Sequence, residues 1–245
     1  MGLEFQSPRF AGDSLLLEIL NDPDTGTLKL GPGSPPESVK RLQKALFDLQ
    51  WPQEVDTPIT DESQFVIGIY GPVTTKAVTK FKTQYDIHFP PDEPTGFIDG
   101  FAGPRTLRLL DKQCVLFDEC DAALAQKAAE VFAAQGIRHD GPTLPSRGWN
   151  GATRIQTGAG ASITSGLWFK PNLGAFQVAA PFLRPYIIDD DGENGQLGWP
   201  FTDAITGGDG ITRQEFLGGE LMLENGVVTP LLGNPPAIEF ADPSF

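Results

Sequence analysis

Few side chains in this chain of 245 residues have the types and spacings that do covalent or metal chemistry. The histidines are His88 and His139, and the cysteines are Cys114 and Cys120. Catalytic zinc sites recur as closely spaced ligand pairs such as His-Glu-x-x-His. Neither histidine stands in such a spacing, and a site joining both histidines to both cysteines has no spacing to support it. A Cys/His hydrolase needs a thiolate at a helix start, a base and a group to orient the base. Cys120 precedes a helical pattern and His139 follows nineteen residues later, too short an interval to suggest such a fold. There is no Gly-x-Ser-x-Gly nucleophile elbow. Glycosidases need only two carboxylates, but among 32 acidic residues no pair stands out. The run Asp189-Asp190-Asp191-Gly192-Glu193-Asn194 offers oxygen ligands without EF-hand spacing and reads as a solvated turn. Gly158-Ala159-Gly160 lacks the Lys-Ser/Thr of a phosphate loop. The expectation is a protein that is not an enzyme and uses neither cofactor nor metal.

Aromatic side chains remain as binding candidates. Trp149, Trp168, Trp199, Phe201 and Phe216 lie in Gly-rich segments, where exposed ring faces can stack on sugars. The competing expectation is that they anchor a core, as large aromatics at motif positions commonly do.

Composition narrows the partners. Hydrophobic residues make up 40% and charged residues 20%, ordinary for a folded domain, while 28 Gly and 22 Pro imply many short elements. The net charge of -14 argues against duplex nucleic acid and anionic membranes, both of which need clustered Lys and Arg. No apolar run approaches the roughly 18 residues of a membrane span. Residues 1–10 show no basic stretch followed by an apolar run, so no signal peptide is visible. Cys114 and Cys120 are either a disulfide across a turn or two buried thiols. On one straight helix their side chains would diverge.

The elements that must position these groups can be read from periodicity. Residues 1–33 form a lead-in with one short helix over 13–20. Ser34-Pro35-Pro36-Glu37 has capping-box spacing and opens a helix over 35–49, with Val39, Leu42, Leu46 and Leu49 on one face. A proline-marked connection over 51–65 follows. A second helix is expected over 74–85, with Ala77, Val78 and Phe81 inward, then a loop over 87–96 holding Pro90, Pro91 and Pro94. A short third helix follows Pro104 and carries Leu107, Leu109 and Leu110. A separate helix covers 121–135 and stops at Gly136.

Two turns stand before the second and third helices. Gly68-Ile69-Tyr70-Gly71-Pro72-Val73-Thr74 and Gly100-Phe101-Ala102-Gly103-Pro104-Arg105-Thr106 share the form Gly-x-x-Gly-Pro-x-Thr, preceded by Ile67 and Asp99. The glycines permit unusual backbone angles, the threonine is placed to cap the helix, and Tyr70 and Phe101 are placed to plug the core. With the helix containing Leu42-Gln43-x-x-Leu46, these turns resemble the small three-helix peptidoglycan-binding domain over about residues 35–112. Ile67 departs from the usual Asp, and Phe81-Lys82 from the usual Phe-Gln. The resemblance implies a binding groove beside the turns, with Tyr70, Gly71, Thr74, Phe101, Gly103 and Thr106 as contacts.

In the second half, Leu197-Gly198-Trp199-Pro200 and the glycines around it resemble the LGFP repeat of bacterial envelope proteins, a module of about 50 residues. Gly166-Leu167-Trp168-Phe169 aligns with Gly219-Glu220-Leu221-Met222 at an offset of 53. The same offset sets Gly174-Ala175-Phe176 against Val227-Val228-Thr229, and sets the helix from Asp121 against residues 174–188. One repeat is well formed (180–230) and one eroded (121–178), with only Gly141-Pro142 as its trace of the motif. This resemblance implies glycan contacts at Trp168, Trp199 and Phe216.

The fold class expected is α+β, with a lead-in over 1–33, a peptidoglycan-binding-like domain over 34–112 and an LGFP-like lobe over 113–245. The function expected is non-catalytic binding of peptidoglycan or another cell-wall glycan. Two alternatives stand beside it. One is a structural or cargo component of a phage tail or secreted injection particle, with a protein assembly as partner. The other is a wall hydrolase with unrecognised carboxylates. The expected location is extracellular or wall-associated, or cytoplasmic until release.

Overall fold

The computed structural model describes residues 2–23, 27–49, 65–89, 96–139, 143–145, 152–157 and 163–233. It is mixed α and β, and it divides into two compact units, Met1–Asp118 and Glu119–Phe245. Trp149, Gly141-Pro142, Gly158-Ala159-Gly160 and most of the 51–65 connection lie outside the described residues.

The first unit is helical. Helix α1 (Ser14–Leu20) is capped by Asp13, whose carboxylate accepts the Leu16 amide at 3.0 Å. Helix α2 (Pro36–Asp48) buries Val39, Leu42 and Leu46 of the expected stripe together with Ala45, and Leu49 is buried as its C-cap. The capping box does not form. Pro36 holds Pro35 extended, so Pro35 becomes the N-cap and has no amide for a glutamate to accept. Ser34 instead accepts from Gly31 at 2.9 Å, and Glu37 pairs with Lys40 at 2.7 Å. Helix α3 (Pro72–Gln84) buries Ala77, Val78 and Phe81 and starts earlier than expected, because Pro72 and not Thr74 opens it.

Helix α4 (Pro104–Gln135) is the largest departure. It runs unbroken for 32 residues and joins the two helices expected over 104–112 and 121–135. No Gly or Pro stands between Lys112 and Asp121, so nothing ends the helix until Gly136, which turns at φ +69°. The unit boundary falls inside it.

The lead-in is built into the first unit. Phe10, Leu16, Ile19 and Leu30 are fully buried. The amides of Gln6 and Ser7 donate to Asp111 at 2.9 and 2.8 Å. Arg9 reaches Asp48 of α2 at 2.9 Å and Asp118 of α4 at 2.6 Å. A short bridge pairs Leu30 with Ala102, and another pairs Phe89 with Phe97.

The second unit carries two antiparallel four-stranded sheets. One has the order β1 (Thr143–Pro145), β2 (Ala152–Thr157), β3 (Ile163–Lys170), β4 (Gly174–Ala179). The other has β5 (Ile205–Thr206), β6 (Thr212–Phe216), β7 (Gly219–Glu224), β8 (Val227–Leu232). Strand side chains alternate between faces, and β3 is buried on both. Leu167 and Phe169 meet Cys120, Leu124 and Val131 of α4. Trp168, on the opposite face, enters a cluster with Phe182, Tyr186, Leu197 and Phe216. The β7–β8 hairpin closes on Asn225-Gly226, both at positive φ, as a two-residue turn that matches strand twist demands.

The offset of 53 residues places β3 on β7 and β4 on β8, so the third and fourth strands of the two sheets correspond. Its helical part is not reproduced. Opposite the helix from Asp121 stand strand β4 and a π-turn over Pro185–Asp189.

Candidate functional site

Both glycine turns are held from inside by side chains of the preceding elements. In the first, Gly68 turns at φ +78° and donates to Gln43 Oε1 at 2.9 Å. The Gln43 amide nitrogen donates to the carbonyls of Val66 and Ile69, at 3.2 and 3.1 Å, and to the Thr74 hydroxyl at 2.9 Å. Gln43 is buried in α2, and one side chain thus ties down the whole turn.

The second turn leans on the first. The Tyr70 hydroxyl donates to the Gly100 carbonyl at 2.6 Å. Lys82 of α3, itself buried, pairs with Asp99, and the Phe101 amide donates to the same carboxylate at 3.2 Å. Gly100 lies so close to Thr75 that a Cβ there would collide with its methyl group. The order of support is therefore α2 to first turn, then first turn and α3 to second turn.

This arrangement separates the candidates. Tyr70, Thr74 and Thr106 are core residues, each at most 5% exposed. Thr74 does not cap α3; Gly71 is the N-cap and Thr74 accepts from Gln43. Gly71 and Gly103 are partly exposed at the starts of α3 and α4. Phe101 is half-buried. Tyr70 and Phe101 are not equivalent positions. The second position of each turn faces outward (Ile69, Phe101) and the third inward (Tyr70, Ala102). Burial also pushes the Tyr70 phenol well above its ordinary pKa.

A groove beside the second turn collects Lys29, Lys82, His88, Asp99, Phe101, Gly103, Arg105 and Thr106. Its cavity volume is about 30 Å³, more than the roughly 10–15 Å³ that one water needs but far below a small-molecule pocket. It therefore admits a projecting group of a larger ligand and not an enclosed small molecule. Phe101 is clamped there. Gly31 lies against its Cδ1–Cε1 edge with no room for a Cβ. The Lys29 ammonium stands 4.4 Å from the Phe101 ring centre and 6.0 Å from that of Phe89. His88 is bonded at both nitrogens, to the Gly96 carbonyl and to Asp86, each at 2.7 Å.

The Gly96 carbonyl, and after it Asp86, raise the His88 pKa above 6.5. The folded-state value is the higher one, so these bonds stabilise the fold below pH 6.5. That contribution is lost as pH climbs through the raised value. An NMR titration of the full chain is expected to place the His88 pKa above 6.5; a value at or below it would mean that neither bond holds in solution.

The second unit uses its candidates differently. Trp168, Trp199 and Phe216 are 2%, 8% and 1% exposed and belong to one core. Leu197-Gly198-Trp199-Pro200 serves as a packing strip. Trp199 and Leu197 accept the amides of Leu217 and Gly218 at 2.9 and 2.8 Å, and Gly198 accepts the Tyr186 hydroxyl at 2.9 Å. The acidic run closes its own turn, since Asp190 accepts the amides of Gln196 and Leu197.

One pairing was not visible in the sequence. His139 Nε2 lies 3.0 Å from Ser165 Oγ, which also accepts from Gln177 at 2.7 Å. Ser165 is fully buried, so its hydroxyl is closed to substrate. Residues 26 positions apart, one in the segment after α4 and one on a strand, carry no short motif. Cys114 and Cys120 are both buried and form no disulfide with each other, and burial pushes the Cys114 thiol up to about 12. Among the described residues no three His, Cys, Asp or Glu side chains are grouped to hold a metal ion.

No family model matches this chain, and no curated protein matches it.

Proposed function

We propose that this protein binds bacterial cell-wall peptidoglycan without cleaving it, through the groove beside the second glycine turn. The observation that carries the reading is Phe101: an aromatic side chain held at a surface groove by Gly31 and Lys29, with His88 and Arg105 around it. An aromatic platform ringed by fixed polar groups suits a wall fragment with both apolar and polar faces. Such a protein acts in the envelope or outside the cell, as an anchor or targeting factor. The buried tryptophans of the second unit play a supporting part, as core and not as glycan contacts.

The test is co-sedimentation of the full chain with isolated sacculi at moderate salt. Phe101→Ala is expected to weaken retention about tenfold, the loss of one good aromatic anchor. Unchanged retention by a folded Phe101→Ala protein, judged by circular dichroism, would remove the groove from the reading.

A role in a phage tail or injection particle is favoured by a different observation. Val66, Ile67 and Ile69 at the first turn are 64%, 47% and 58% exposed, an apolar patch suited to protein contact. Co-purification with a large assembly, together with no retention on sacculi, would support it.

A further inference from the structure

We propose that the groove recognises an anionic oxygen group of the wall, a carboxylate or a phosphate, through Lys29, and not a neutral sugar face. This rests on the wall-binding reading. One face of the Phe101 ring is covered by an ammonium and closed to a sugar, since Lys29 stands over it at 4.4 Å. That contact uses the ring's negative face and leaves ammonium N–H groups to donate outward.

Among the described residues Lys29 has no carboxylate partner, and its side chain is exposed. The other charges of the groove divide simply. Lys82 and Asp99 neutralise each other in a nearly buried pair. Arg105, on the first turn of α4, lines the same groove, and His88 is paired with Asp86 at 2.7 Å, so neither is counted beside Lys29. On a protein of net charge -14, long-range attraction for anions is poor. A local cation is then the means by which an anionic group is accepted. The small cavity fits the same reading, because a carboxylate or phosphate projects from its chain as a compact head.

The full chain is tested on three sacculus preparations: untreated, stripped of phosphate-bearing polymers by acid, and stripped then amidated at their carboxyl groups. Loss of binding on stripping supports the proposal with phosphate as the source. Loss of about tenfold only on amidation supports it with carboxylate as the source. In either case Lys29→Gln is expected to reproduce the loss and Lys29→Arg to keep most of the binding. Both substitutions are at an exposed position and leave the core intact. Undiminished binding to stripped, amidated sacculi would overturn the anion proposal while leaving wall binding in place. Failure to bind untreated sacculi would overturn both.

Discussion

Replacing Gln43 by leucine is expected to destabilise the first unit by about 3–5 kcal/mol, at nearly constant side-chain volume. The cost is polar. Leucine leaves the Gly68 amide, the carbonyls of Val66 and Ile69 and the Thr74 hydroxyl without the partner that Gln43 supplies. The carbonyls of Val66 and Ile69 keep the amides of Ile69 and Gly71, each at 2.9 Å. The Gly68 amide and the Thr74 hydroxyl cost about 1–3 kcal/mol each, less where the turn's outer edge admits water. Ile67 and Ile69 are exposed, so part of the loss is recovered by hydration. A fall of about 10 °C or more in the melting midpoint follows for a unit of this size. Retention on sacculi should fall as well, although Gln43 does not line the groove. The first turn carries Tyr70, and Tyr70 holds the Gly100 carbonyl next to Phe101. A loss below about 1 kcal/mol in a thermal melt of the full chain would show that the turn holds itself.

The second large effect is expected at Tyr186. This ring is fully buried, with Trp168 at 5.2 Å and Phe216 at 4.8 Å between centroids. Tyr186→Ala should cost about 3–5 kcal/mol, from lost burial and a cavity in the cluster that joins β3 to the Leu197-Gly198-Trp199-Pro200 strip. Tyr186→Phe keeps the ring and removes only the bond to the Gly198 carbonyl, so about 1–2 kcal/mol is expected. Tryptophan fluorescence melts of the two variants separate these terms. Equal losses would mean that the hydroxyl, and not the packing, sustains the cluster. Near-equality with the unsubstituted protein in both would show that the second unit has its core elsewhere.

Local sequence carried much of the helical part. The stripe of Val39, Leu42 and Leu46 lies inward in α2, and Pro72 and Pro104 open α3 and α4, as prolines at a first helical position do. Gly136 ends α4 where its freedom of φ is needed. Asn225-Gly226 is a local hairpin signal, and it forms the β7–β8 turn. No breaker residue stands between residues 112 and 121, so the helix expected to stop there continues.

What tertiary structure decided is which side of each motif faces the core. The two turns carry different side chains between their glycines, Ile69-Tyr70 and Phe101-Ala102, yet in both the first faces outward and the second inward. Trp168 is buried because β3 has elements on both faces, which alternation along one strand cannot reveal, and Trp199 because its strip packs on the same cluster. Gln43 and Lys82 stand on helices as ordinary polar residues and become buried supports only when a distant turn closes over them. Periodicity and capping act over a few residues, so the sequence by itself determined where helices run and which stripe they bury. Burial and polar satisfaction are set by partners tens of residues away, so the site that these partners build belonged to the tertiary structure alone.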